Sequence, residues 1–318
     1  MADKRNDIND GEMPCWKADF FEALFPVDER VLSIPYVLKR PSSREIYLDR
    51  ILPDRKKTNL EQAFKLLEAN IPHSLYKYRA VSEYSLDNFQ NDTLWLDYPK
   101  YYNDPFDSII IEDDIINEQW IKLLTDCYGD EPMVQEVQNV FSEDMIKRLK
   151  DLYESLMIRR TQSTFTVACL SETSSSVLMW SHYASEHKGF CVEYNGREIY
   201  QYKTVYKHLF PVKYLDEKDM QIPISALALD YSGLYSVLCK TKEWDYEREW
   251  RICFGIEDAE GPRNIQLPKA TGVYLGAFMS KGDRTRILDI ASSKGIPVYQ
   301  ERLNYMNREV YFELCKEL

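Results

Sequence analysis

The chain has 318 residues, 44% of them hydrophobic and 13% aromatic, which is enough for a sizeable core and argues against disorder. Its formal net charge of −12 repels phosphate backbones and so disfavours general nucleic-acid binding. No apolar run approaches the ~20 residues of a bilayer-spanning helix, and the charged start MADKRNDINDGEMP lacks the apolar core of a secretory signal.

Residues 1–70 read as a helical extension. Trp16, Phe20, Phe21, Leu24 and Phe25 recur at helical spacing before Pro26, and NLEQAFKLLEAN (59–70) sets Leu60, Phe64, Leu66 and Leu67 on one face. SLYKYRA (74–80) then alternates as a strand, with Leu75, Lys77 and Arg79 against Tyr76 and Tyr78. TLWLDYP (93–99) is a second short strand, ended by a loop that contains Asn103-Asp104-Pro105.

Residues 113–160 carry helical periodicity, as a hairpin inserted between strands. STFTVACLS (163–171) reads as a buried strand. VLMWSHYASEHK is expected to be one helix ended at Gly189, followed by the strand FCVEY. Residues 215–240 read as loosely patterned helix and YEREWRICFGI (246–256) as a strictly alternating strand. The last unit is strand GVYLGAF, helix GDRTRILDIASSKG and strand IPVYQERL. Strands and helices mix without a βαβ rhythm. The expected fold is therefore α+β: a mixed, mainly antiparallel sheet with flanking helices over 71–318, including the insertion.

Seven cysteines, odd in number and without a C-x-x-C pair, read as buried thiols of a cytoplasmic chain. Stretch 169–194 is the densest in reactive side chains. On a helix Trp180, Tyr183 and His187 share one face, and Met179, His182 and Glu186 the next. His182 and His187 then point about 140° apart, too far to chelate one ion, so no metal site is expected. The plainer alternative is that Trp180 and Tyr183 pack while the histidines make ordinary hydrogen bonds.

In KEWDYEREWRICF (242–254) an extended chain puts Glu243, Asp245, Glu247, Glu249 and Arg251 on one face. Either that face is solvated, or its carboxylates serve a developing cation in a cleft. Asp104 and Asp107 in YYNDPFDS form a turn or bind a cation through oxygen. Dinucleotide-binding, P-loop and serine-elbow motifs are absent.

LYKYR (75–79), LWLDYPKYYNDPFDS (94–108), CLSE (169–172), MWSHYASEHKGFCVEY (179–194), KEWDYEREWRI (242–252) and VYLG (273–276) occur in that order. Over about residues 73–312 the chain resembles the bacterial family DUF2971. More distantly, the order Arg79, Ser171, Glu247-Arg248-Glu249 is similar to ADP-ribosyltransferases. That likeness implies that Arg79 holds the diphosphate of NAD and Ser171 orders the site. It also implies that Glu249 grips the nicotinamide ribose, with Trp180 or Tyr183 stacking on nicotinamide. Ser171-Glu172-Thr173 departs from the serine-threonine-serine triplet of that group.

Together these readings place Arg79, Asp104, Ser171, Trp180 and Tyr183 in a substrate-binding cleft, with Glu247, Glu249 and His182 as its catalytic groups. NAD is the expected substrate, and cleavage or ADP-ribosyl transfer, as by a toxin or phage-defence effector, the expected reaction. Two alternatives stay open. One is a non-catalytic module that binds a ligand or protein. The other is a metal-dependent hydrolase or nuclease using Asp104, Asp107, Glu172 and His182.

Overall fold

A computed structural model describes residues 13–28, 54–109, 158–159, 162–216, 232–255 and 261–315. It divides into two compact units. One comprises Met1–Leu67, Tyr102–Thr164 and Lys213–Thr241; the other comprises Glu68–Tyr101, Phe165–Val212 and Lys242–Leu318. Apart from residues 158–159, the insertion expected over 113–160 lies outside the described residues, as does 217–231.

In the first unit, helix α1 (Cys15–Leu24) buries Phe20, Phe21, Ala23 and Leu24. Phe21 and Phe25 meet the Tyr235 ring edge-on at 6.3 and 5.0 Å. Helix α2 (Leu60–Asn70) turns Ala63 and Leu67 inward, whereas Leu60 is exposed, so the buried stripe is narrower than its leucines suggest. Strands β6 (Lys213–Leu215) and β7 (Cys239–Thr241) pair in parallel. The segment read as helix over 215–240 therefore ends in a strand, entered from the short helix α6 (Ser232–Val237).

The second unit is built on an eight-stranded sheet in the order β12-β11-β10-β4-β1-β3-β8-β5. Its strands are β1 (Ser74–Arg79), β3 (Phe165–Ser171), β4 (Phe190–Asn195), β5 (Leu209–Pro211), β8 (Glu249–Gly255), β10 (Gly272–Leu275), β11 (Val298–Asn304) and β12 (Glu309–Leu314). Within it only β10 and β11 run parallel, joined by helix α7 (Lys281–Lys294). Mainly antiparallel pairing with flanking helices makes the fold α+β. Among the described residues no helix is long and apolar enough to cross a membrane.

The registers define the two faces, because directly opposed residues point the same way. Arg79, Phe190 and Leu275 form a row on one face. Helix α3 (Glu83–Asn91), capped by Ser82 and Ser85, lies there, with Phe89 5.8 Å from Phe190. Tyr78, Cys191, Tyr274 and Tyr299 form a row on the other face. Here sits helix α4 (Val177–Tyr183), anchored by the fully buried Trp180, whose ring meets Tyr78 edge-on at 5.3 Å. Helix α5 (Gly196–Gln201) and a two-stranded ribbon of β2 (Thr93–Leu96) with β9 (Arg263–Gln266) complete the unit.

Two expectations need correction. Helix α4 stops at Tyr183 instead of running to Gly189. Ser185, Glu186 and His187 follow with φ of 49°, 57° and 63°, a left-handed run that no α-helix continues through. Gly189 is needed for close approach: a Cβ there would lie 2.1 Å from the Arg79 carbonyl oxygen. Nor is 246–256 strictly extended. Lys242–Glu247 is a 3-10 turn and Arg248 has φ 44°, so alternation begins only at Glu249.

Candidate functional site

The face beneath α4 gathers most of the polar chemistry of the second unit. Strand pairing places Tyr76, Ser171 and Glu249 in one row across β1, β3 and β8. Three segments far apart in sequence therefore become neighbours. Ser171 is buried, and its Oγ donates to the Glu247 carbonyl at 2.6 Å while accepting from Thr173 N–H at 3.1 Å. It ties β3 to the turn before β8. Tyr183 reaches across from α4 and donates its hydroxyl to Glu247 Oε1 at 2.6 Å.

Glu249 is buried and held by Arg251 on the same strand face, with Nε at 2.8 Å from Oε1 and Nη2 at 3.1 Å from Oε2. A carboxylate and a guanidinium two residues apart form this fork because strand side chains repeat every second position. The alternation expected around Glu249 and Arg251 is present, but as a buried ion pair and not as a solvated face.

Arg79 does not join this group. Three residues along β1 from Tyr76, it turns to the α3 face. Its Nε and Nη2 are buried there without a hydrogen-bond partner among the described residues. Burial lowers its pKa, and its electrostatic neighbours are Tyr194 and Cys191, not the 247–249 carboxylates. The β1 cation that does sense Glu249 and Glu247 is Lys77. Its Nζ donates to the Cys169 carbonyl at 2.9 Å, and burial lowers its pKa against the pull of both glutamates. Sequence reading passed over Lys77; a lysine set between two tyrosines of a strand was the available signal.

Trp180 is fully enclosed, with its indole N–H bonded to the Ser174 carbonyl at 2.7 Å, so it is a packing residue and offers no open ring face. His182 is exposed beside the rings of Tyr183 and Tyr246, each 6.3 Å away. Asp104 belongs to the first unit. It is buried, and its Oδ1 accepts from Phe106 N–H at 2.9 Å, the turn-forming role. Asp107, in the same unit, lies 3.7 Å from the buried Lys240 ammonium. Glu172, in the second unit, accepts from the Trp250 indole. Among the described residues no three His, Cys, Asp or Glu side chains group as a metal site would.

A further hydroxyl–carboxylate cluster lies along the same face, where no candidate was expected. Glu193 on β4 accepts from Ser74 Oγ at 2.5 Å, Tyr76 OH at 3.4 Å and Tyr274 OH at 3.0 Å. Tyr274 stacks on Tyr299 at 4.8 Å and meets Tyr76 edge-on at 5.8 Å. Burial and the Glu193 charge raise the pKa of both Tyr76 and Tyr274, which keeps them neutral donors. Gly272 lies opposite Glu193, and a Cβ there would lie 3.1 Å from Oε2, so a glycine preserves the space beside the carboxylate. Tyr76, Tyr299 and Phe312 remain partly exposed around it.

Residues 179–252 match the family model of "Protein of unknown function (DUF2971)". The match runs from α4 into β8, so it contains Tyr183, Glu193, Glu247 and Glu249. It is shorter than the 73–312 over which the resemblance was read, and leaves out β1, Ser171 and β11. No curated protein and no solved structure matches the chain.

Proposed function

We propose that the face around Glu193 is a binding site for a small molecule bearing a cationic ring, and that NAD in its oxidised form is such a ligand. The observation that carries this is the convergence of three hydroxyl groups on one carboxylate within a wall of tyrosine rings. Aromatic faces attract cations, by about 0.5–1 kcal/mol where exposed and ~2 kcal/mol when desolvated, and a carboxylate adds its own charge. The pyridinium ring of oxidised NAD supplies both a plane and a positive charge, while the ring of reduced NAD is uncharged.

Cleavage of bound NAD, the reaction class of a toxin or defence effector, is a second reading. It is favoured by the meeting of Ser171, Glu247 and Glu249 around one end of β3, with Lys77 as the adjacent cation. Arg79 has no part in it, because its electrostatic neighbours are Tyr194 and Cys191 and not these carboxylates.

Thermal shift and titration calorimetry with oxidised and reduced NAD test the binding reading. A ligand at a hundred times its dissociation constant stabilises the folded state by about 2.7 kcal/mol. Oxidised NAD is expected to raise the melting temperature, reduced NAD to raise it less, and Glu193→Gln to abolish the difference. Equal behaviour of the two forms, or no shift with either, would sink the proposal. Chromatography of the same mixtures for released nicotinamide tests cleavage. A wild-type rate no greater than that of Glu247→Gln removes the second reading and leaves binding standing.

A further inference from the structure

We propose that Ser181, His187 and Glu301 form a nucleophile–base–acid relay that acts on carboxylic esters or thioesters with an apolar acyl group. His187 Nδ1 lies 2.6 Å from Glu301 Oε1, and His187 Nε2 lies 3.3 Å from Ser181 Oγ. A serine activated through an imidazole whose far nitrogen is held by a carboxylate is the general arrangement of such catalysts, recognised by geometry and not by chain order. Here the three residues come from α4, the left-handed turn after it, and β11.

The imidazole is held from every side. Trp180 stacks on it at 6.3 Å with a 16° interplanar angle, and Phe278 meets it edge-on at 6.0 Å. Its backbone N–H donates to the Trp180 carbonyl at 3.1 Å, and its carbonyl accepts from Phe278 N–H at 2.9 Å. The acid is held too: Glu301 is buried and its Oε2 accepts from Ala277 N–H at 2.7 Å. Three consecutive non-glycine residues in the left-handed region, each costing about 1–3 kcal/mol, put the ring there.

Ser181 is partly exposed, so an electrophile can reach it. Its hydroxyl has two acceptors within reach, Nε2 and the Val177 carbonyl at 2.8 Å. Val177 and Leu178, one turn earlier on the same side of α4, are 43% and 45% exposed, and Phe278 is 54% exposed beside His187. These three apolar groups define the acyl side of the substrate.

The step balances without any further reagent than water. Ser181 Oγ bonds to the acyl carbon as its proton passes to His187 Nε2. The bond to the alcohol or thiol then breaks, and the leaving group takes that proton. Water repeats the sequence, releasing the acid and restoring the serine. Glu301 acts through His187 as a positioning residue.

The test uses the full-length protein with a fluorophosphonate probe, mapped by mass spectrometry, together with p-nitrophenyl butyrate hydrolysis. The probe is expected on Ser181, and Ser181→Ala, a mild change at a partly exposed helix position, is expected to lose both label and turnover while melting as wild type does. His187→Ala is expected to slow hydrolysis by roughly 10²–10⁴-fold, as loss of a general base does. Glu301→Gln is expected to lower kcat at unchanged KM and to displace the pH profile, which loss of packing alone does not do. Absence of label, label at another residue, or Ser181 labelling independent of His187 overturns the relay.

Discussion

Replacing Glu249 by glutamine separates a structural carboxylate from a catalytic one. The side chain is 3% exposed and its partner Arg251 fully buried, and the two make a bidentate contact at 2.8 and 3.1 Å. Removing one charge from such a pair leaves the other poorly compensated in a low dielectric and costs about 3–5 kcal/mol. The unit that contains it comprises about 160 residues, whose melting entropy is about 0.33 kcal/mol per kelvin. Glu249→Gln is therefore expected to lower its melting temperature by roughly 9–15 °C. Differential scanning calorimetry reads this directly. The double variant Glu249→Gln, Arg251→Met is expected to recover much of the loss, because an apolar pair of similar volume is often neutral or better. A single variant that melts within a degree or two of wild type, with no recovery in the double, would refute the view of this pair as structural. If nicotinamide release vanished at the same time, Glu249 would become a catalytic group.

Gly276→Ala places a Cβ 2.2 Å from the His187 carbonyl oxygen, and neither backbone segment gives way easily, so denaturant titration should show a loss of roughly 1–3 kcal/mol or more. A change within ~0.5 kcal/mol would mean that the left-handed turn is not held as described. Lys77 has its pKa lowered by burial, so between its folded value and the ordinary lysine value the unfolded chain binds more protons than the folded one. Stability contributed by this group thus rises with pH across that window, and Lys77→Met should flatten the rise in urea midpoints on the acid side of the ordinary lysine value of about 10.4. An unchanged slope would place the ammonium in solvent.

Much of the second unit was legible in the letters. Tyr76, Lys77 and Tyr78 alternate as a strand must, Pro99 and Gly295 punctuate their elements, and the 281–294 pattern is helical, so the fold class and most strands followed from local chemistry. Failures came where neighbours overrode pattern. The helix expected through His187 breaks after Tyr183, because the His187 N–H donates to the Trp180 carbonyl and the His187 carbonyl accepts from Phe278 N–H, which holds residues 185–187 left-handed. The acid-aromatic run 242–248 reads as strand by period two but winds as a 3-10 turn, with Ser171 bonded to its last carbonyl. Local propensity is weak enough for such tertiary contacts to reverse it.

The candidate groups divide in the same way. Composition and period alone established an acidic α+β chain and a strand on which Glu249 and Arg251 share a side, since backbone geometry fixes both over a few residues. Which distant groups meet was decided only by register. One row aligns Tyr76 with Ser171 and Glu249, another turns Arg79 away, and β11 carries Glu301 to an imidazole 114 positions earlier in the chain. Pairing between strands costs chain entropy that only the whole sheet repays, so no short window of sequence contains it.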